Sequence, residues 1–454
     1  MISSNDIGLL LGDLLLNQPE TSAEPFSEIV IDSREATPGA LFVALRGEYQ
    51  DGHQFVDDAL RRGATGALVS ERSGLRGSSM YVVPDPLFAL QEAGRRWRRQ
   101  MSAQIVGITG SVGKTTVREA THQLLSSRFL THQSPRNFNG DIGLPIALLG
   151  ISPADKWAVI EIGPYSQQEM ELLVSSAQSD VGIVTNVGPT HLERFGTMAD
   201  TERIKGLLPE SLPADGLAVL NGDDPRVRRM SDRTAAEVFT FGLGLHCHLR
   251  AENIVTHGFN GISFKLHDTL VNERIRVESP LIGTHQAMTA LAASCVGLRA
   301  GLELGEVAEA LAGMNPGSRL ARRSAENGAT IIDDSYNAAP LSMKAALDLL
   351  AACQPRRVAL LGDMFELGSE EEAAHREIGS YAAERCDWLL AVGERSRDLI
   401  DSARESGHPQ ACWVAEADQA LEILRHSLEP SDTLLIKASH AMHLEKVVER
   451  LAAR

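Results

Sequence analysis

Short runs of β-branched and apolar residues alternate along this chain with longer stretches in which Ala and Leu recur among Glu and Arg. The short runs have the length of buried strands, and the longer ones have the spacing of helices with one apolar face. Residues 104–108, 157–162, 181–185, 357–361 and 433–436 are predicted as strands, and 115–126, 285–300, 342–352 and 370–385 as helices. Such alternation predicts α/β layers built on parallel strands. Between residues 239 and 278 the period shortens to strand alternation around Asn260-Gly261, which predicts a small antiparallel β insert with a tight turn. Two interruptions, the basic stretch 95–99 and Asn315-Pro316-Gly317-Ser318, divide the pattern into three predicted domains, 1–102, 103–315 and 316–454.

Composition removes some classes of partner. Of the 454 residues 43% are apolar and 23% charged, as in globular domains and unlike disordered or fibrous chains. The 60 Asp and Glu against 43 Lys and Arg give a net charge of −17, which repels a nucleic-acid backbone while allowing a local pocket for a small anion. Cys247, Cys295, Cys353, Cys386 and Cys412 are scattered and form no C-x-x-C pair, so reduced thiols and a cytoplasmic location are expected. No apolar stretch reaches the ~18–20 residues of a bilayer span, so no membrane insertion is expected.

The sharpest chemical signal is Ile105-Val106-Gly107-Ile108-Thr109-Gly110-Ser111-Val112-Gly113-Lys114-Thr115-Thr116, an apolar run, a glycine-rich turn and a helix start. A turn of this kind points consecutive backbone N–H groups at phosphate oxygens, the helix N-terminus adds partial positive charge, Lys114 reaches the terminal phosphates and Thr115 can ligate Mg²⁺. The strict G-x-x-x-x-G-K-[ST] pattern is not met, because Ile108 stands five residues before Gly113. The alternative is a strand-to-helix turn that merely needs glycine.

Glu161 ends the apolar run 157–162, and Asn186-Val187-Gly188-Pro189-Thr190-His191-Leu192-Glu193 follows the run 181–185. Ligands collect at the carboxyl ends of strands in open α/β sheets, so Glu161 and His191 are candidate Mg²⁺ ligands. A solvated strand end and a loop histidine bonded to backbone are the respective alternatives. Lys205 is, by composition, an ordinary exposed helix lysine. Further on, Asp333-Asp334-Ser335-Tyr336-Asn337, Gly362-Asp363-Met364 and Lys437-Ala438-Ser439-His440 each follow a predicted strand. Each could be an acidic or polar helix cap, yet three such junctions together predict a doubly wound, nucleotide-type domain in which the carboxylates meet a ribose. His246-Cys247-His248 and the His440/His443 pair lack further ligands in sequence and are read as structural or surface groups.

These residues resemble the Mur ligases along essentially the whole chain. The resemblance rests on Asp32-Ser33-Arg34, residues 38–47 and Asp51-Gly52-His53-Gln54-Phe55 in the first segment. In the second it rests on Thr109 to Thr116, Asn137-Phe138-Asn139, Gly143-Leu144-Pro145, Glu161-Ile162-Gly163 and residues 186–193. Asp333 to Ala338, residues 361–368 and His375 complete it. It implies a UDP-substrate-binding α/β domain, a central P-loop ATPase domain with a parallel sheet and β insert, and a Rossmann-like third domain. It further implies an ATP-dependent, ADP-forming ligase that activates the terminal carboxylate of a UDP-MurNAc-peptide as an acyl phosphate and joins it to the amine of D-Ala-D-Ala.

By position the resemblance implies that Gly110, Ser111, Gly113, Lys114, Thr115 and Thr116 bind ATP phosphates, Arg319 approaches them and Asp334 binds the ribose. Thr115, Glu161 and His191 would hold Mg²⁺, together with Lys205 once CO₂ has carbamylated it, which overrides the surface reading of that lysine. Ser33, Arg34, Asn137, Asn139 and Asn337 would contact the substrates. A monomer acting on small molecules is expected. The chain departs from the family pattern at Gln286, Thr289, Ala339, Ala438, His440 and Leu207. Those departures keep open a Mur-type ligase with another acid and amine, and, from a different class, a nucleotide-binding homologue without catalysis.

Overall fold

Every predicted strand and helix forms in the computed structural model, with ends shifted by at most two residues. The structure describes residues 2–17, 20, 24–315, 320–354 and 356–453. Arg319 and residues 316–318 of the second predicted interruption lie outside the described residues. Two compact units result, one of Met1–Ile108, Arg128–Gly182 and Ser211–Gly216, the other of Thr109–Ser127, Ile183–Glu210 and Leu217–Arg454.

The first unit holds four parallel strands in sequential order, Ile29–Val30, Leu41–Val43, Gly66–Ser70 and Met80–Val83. Nearly every residue in them is buried, as expected for parallel strands covered on both faces. Helix Pro86–Arg98 follows, capped by the Asp85 carboxylate, which accepts the N–H groups of Leu87 and Phe88. Gly94 lets it approach Gly143–Leu149, since a Cβ there would lie 2.9 Å from Pro145 Cα. The basic stretch 95–99 is the last turn of this helix. Arg98 is buried and donates to Ala177 O at 3.0 Å and to the Asp180 carboxylate at 3.1 Å. The same carboxylate oxygen accepts the Ile105 N–H at 2.7 Å and so fixes where strand Gln104–Thr109 begins. Strand Trp157–Glu161 runs parallel between Gln104–Thr109 and Thr131–Gln133.

In the second unit, Leu217–Asn221, Glu237–Gly242 and Leu249–Thr256 are successive parallel neighbours. Leu249–Thr256, Ile262–Asp268 and Glu273–Ser279 continue antiparallel and form the β insert. Six further strands lie in the order Ala321–Ser324, Thr330–Asp333, Thr433–Lys437, Arg357–Gly362, Trp388–Val392 and Ala411–Val414, parallel except for the first pair. Apolar clusters around Leu347, Leu361 and Leu399, and around Leu360, Leu390 and Ile436, cover this sheet. The pairing of Asp333 with Ile436 sets the carboxyl ends of Thr330–Asp333 and Thr433–Lys437 side by side, where ligands bind in such folds.

Candidate active site

The loop between Thr109 and helix Lys114–Ser126 is held in shape by the segment after strand Val181–Val184. Ser111 and Val112 donate their N–H groups to the backbone and side-chain oxygens of Asn186, at 3.0 and 2.9 Å. The Asn186 amide and the Thr185 hydroxyl donate back to Val112 O, at 2.9 and 2.7 Å. Ser111 Oγ accepts the Gly188 N–H at 2.8 Å and donates to Gly188 O at 3.0 Å. Gly110 has φ +151°, and a Cβ there would overlap Thr185 Oγ1; Gly113, at φ +87°, caps the helix in a left-handed conformation. Glycine is therefore required at Gly110 by both space and backbone angle. Lys114 Nζ donates to Gly110 O at 2.9 Å, and Thr115 and Thr116 lie partly buried in the first helical turn.

Lys205 is not a surface residue. It lies on helix Met198–Glu210 with 2% exposure, its Nζ 5.7 Å from the Phe195 ring centroid. Burial, and next the charge of Lys114, hold its pKa well below the ordinary lysine value, so the amine is driven toward its neutral form. His191, with φ +58°, directs Nδ1 at the Glu366 carboxylate rather than at backbone. Glu366 is also left-handed, at φ +64°, and its carbonyl accepts the Leu192 N–H at 2.9 Å. Burial and Lys114 lower the pKa of His191, while Glu366 opposes them.

Where the first and last of the three strand-end junctions meet, Asp334 is buried and its carboxylate contacts Lys437 Nζ at 2.6 Å. Lys437, 2% exposed, also donates to Asn337 O at 2.6 Å. Asn337 turns its side-chain oxygen to the Ala338 N–H at 2.8 Å. His285 faces Asp334 and Lys437, and burial is the main reason its pKa falls to about 4.

The first unit carries the remaining predicted residues. Glu161 is 2% exposed, so it is not a solvated strand end; the Asn139 amide donates to its carboxylate at 2.8 Å. Asn139 also offers its carbonyl to the Gly163 N–H at 2.9 Å, and a Cβ on Gly163 would lie 2.8 Å from that amide nitrogen. Ser33 is buried and donates to Asp58 at 2.9 Å, whereas Arg34 is exposed and paired with Asp32 at 2.6 Å. Arg136, next to Asn137, reaches Glu35 at 2.5 Å and thereby joins the Ser33 and Asn137 segments.

Sequence reasoning did not single out Asn186, Glu366 or Lys437 as site residues. All three stood within the quoted motifs, but their partners lie 74, 175 and 100 residues away along the chain, and only the fold brings them together.

An open α/β sheet, a clamped phosphate loop and a buried lysine amine beside it define an ATP-using class, and the chain belongs to the Mur ligase family. Residues 25–93 match the Mur ligase family catalytic domain, 108–297 the Mur ligase middle domain and 318–440 the Mur ligase glutamate ligase domain. The chain is 34% identical to UDP-N-acetylmuramoyl-tripeptide–D-alanyl-D-alanine ligase of Escherichia coli (strain K12), over 97% of both chains. It is 29% identical to the Bacillus subtilis (strain 168) protein of the same name, over 96% of this chain and 95% of that one. Among solved structures it is similar to MurF from Acinetobacter baumannii, with TM-score 0.85, 27% identity and coverage of 99% of this chain and 98% of that one. It is also similar to MurF ligase from Thermotoga maritima in complex with ADP, with TM-score 0.80, 26% identity and coverage of 93% and 96%.

Proposed function

We propose that this chain is an ATP-dependent, ADP-forming ligase that joins D-alanyl-D-alanine to UDP-N-acetylmuramoyl-tripeptide in peptidoglycan precursor synthesis. The observation that carries the reading is the full-length likeness to ligases of that name, which runs through all three matched regions. The γ-phosphoryl of ATP passes to the terminal carboxylate of the peptide, giving an acyl phosphate and ADP. The free amine of the dipeptide then attacks the acyl carbon, and phosphate leaves as the amide forms. Catalysis of this kind is mostly positioning and charge neutralisation. Lys114 would offset the terminal phosphates, while Gly110, Ser111, Gly113, Thr115 and Thr116 shape the cradle, Asp334 takes the ribose and Arg319 approaches the phosphates. Ser33, Arg34, Asn137, Asn139 and Asn337 would contact the two substrates.

By the family's pattern Thr115, Glu161 and His191 would hold Mg²⁺, a hard cation, each offering an oxygen or nitrogen ligand. The buried Thr190 hydroxyl, beside His191 in sequence and without a hydrogen-bond partner, supports a further polar group in this segment. Bound Mg²⁺ would neutralise phosphate charge. For Lys205 we assign carbamylation: its neutral amine adds to CO₂, a proton leaves, and the resulting anion would both face Lys114 and supply a metal ligand. Burial of the amine supports this, because only the unprotonated form reacts. The same reading has a cytoplasmic monomer with domain borders near 102 and 315. A panel of UDP-MurNAc-peptides crossed with amino acids and dipeptides, scored for amide product, tests the assignment. Tripeptide with D-Ala-D-Ala should give the fastest amide formation. Preference for another pair would move the chain to a different acid and amine, and ATP binding with no amide from any pair would make it a non-catalytic homologue.

A further inference from the structure

His246 and Cys247 lack a third ligand in sequence, and the fold supplies one. The turn after strand Leu217–Asn221 carries Asp223 to the turn that follows Glu237–Gly242, where its carboxylate accepts the N–H groups of Leu243 and Gly244 at 2.6 and 2.9 Å. Ligand atoms of Asp223, His246 and Cys247 then lie within 4.8 Å of one another, the one such group of three among the described residues. His248 is not part of it, since its Nδ1 accepts the Thr240 N–H at 3.0 Å. We propose that Asp223, His246 and Cys247 bind a divalent transition metal of the Zn²⁺ type, outside the residues assigned to ATP.

The ring of His246 is set for this. Its Nε2 lies 2.8 Å from Gly222 O, and a carbonyl can only accept, so Nε2 carries the proton and Nδ1 keeps its lone pair. Metal-bound histidines commonly donate their other N–H to such an acceptor. The Arg228 guanidinium, which can only donate, lies farther from Nε2, at 3.2 Å, and also reaches Gly222 O at 3.5 Å, so the shorter contact to Gly222 O sets the tautomer. The carboxylate is fixed by its two backbone donors, and Cys247 Sγ lies 3.8 Å from Asp223 Oδ1. Tetrahedral Zn²⁺, with bonds of ~2.3 Å to sulfur and ~2.0 Å to oxygen, needs about 3.5 Å between those atoms.

Glycine keeps the intervening space open. A Cβ on Gly244 would sit 2.9 Å from both His246 Nδ1 and Asp223 Oδ1, and one on Gly222 would sit 2.5 Å from Cys247 Sγ. Asp223 and His246 are exposed while Cys247 is buried, which leaves an entry path and room for water as a fourth ligand. Thiolate, imidazole and carboxylate together suit Zn²⁺ rather than Mg²⁺. Burial and Asp223 keep the free thiol protonated, with a pKa of about 11, so binding replaces the S–H bond by a sulfur–metal bond and releases one proton to solvent.

Titration of the full chain with Co²⁺ as the spectroscopic probe tests the site independently of ligase activity. A thiolate-to-cobalt charge-transfer band should appear, and excess Zn²⁺ should abolish it. Cys247→Ser should remove the band, Cys412→Ser should keep it, and His246→Ala, at an exposed position that leaves the fold intact, should weaken binding by about tenfold or more. Absence of the band in the unaltered chain, its persistence in Cys247→Ser, or unchanged affinity in His246→Ala would overturn the proposal.

Discussion

A lysine amine buried beside a second lysine is costly as a cation and available as a nucleophile. The depressed pKa of Lys205 keeps the amine neutral at lower pH than an exposed lysine would allow, so carbamylation should proceed near neutral pH without alkaline buffer. Lys205→Ala should lower turnover by roughly 10²-fold or more, the scale of removing one electrostatic stabiliser, and a short carboxylic acid should restore part of it. Full activity of that variant in CO₂-depleted buffer would return Lys205 to a packing role. His285 offers a test in stability. Its folded pKa is about 4, against ~6.5 in an unfolded chain, so between those values the unfolded state binds the additional proton. Stability associated with it is therefore present above about pH 6.5 and lost as pH falls to about 4, by up to roughly 3 kcal/mol. Urea denaturation at about pH 7 and about pH 4.5 should show a smaller acid loss in His285→Gln, and equal losses in both proteins would contradict the assignment.

Among elements, the phosphate loop depends on a neighbouring strand end as much as on its own glycines. Asn186→Ala removes both side-chain bonds to Val112 and should cost about 1–3 kcal/mol, read as a lower melting temperature, with a raised KM for ATP. Asn139→Ala takes away the amide that holds Glu161, and the Mg²⁺ concentration needed for half-maximal rate should rise by about 10–100-fold while the chain stays folded. An unchanged Mg²⁺ requirement would leave Asn139 to substrate contacts alone. Gln104–Thr109, Trp157–Glu161 and Arg357–Gly362 were legible from pattern because a buried strand is a continuous apolar run. Ile29–Val30 and Leu41–Val43 were not, being two and three residues long. The burial of Arg98 within the basic stretch 95–99 was not legible for a physical reason: the cation is satisfied by carbonyl oxygens and Asp180, and nothing local in sequence distinguishes it from a solvated arginine.

Across the whole molecule, what sequence can show depends on how far apart the partners stand. Lys114, Thr115 and their glycines sit within one loop and were read directly, Glu161 and His191 stood out as candidates by following predicted strands, and the resemblance supplied Lys205. The burial of Lys205, the Glu366 partner of His191 and the meeting of Asp223 with His246 and Cys247 all depend on tertiary contact, which no spacing rule encodes. The most direct test of the ligase reading is a complete balance of the reaction, with ADP, phosphate and amide measured by mass and colorimetry in the presence of ATP, Mg²⁺, UDP-MurNAc-tripeptide and D-Ala-D-Ala. One ADP and one phosphate should appear per amide formed, amide should vanish when either substrate is omitted, and Lys114→Ala should abolish all three products with an unchanged melting profile. Steady ADP release without amide, or amide formation that survives Lys114→Ala, would contradict it.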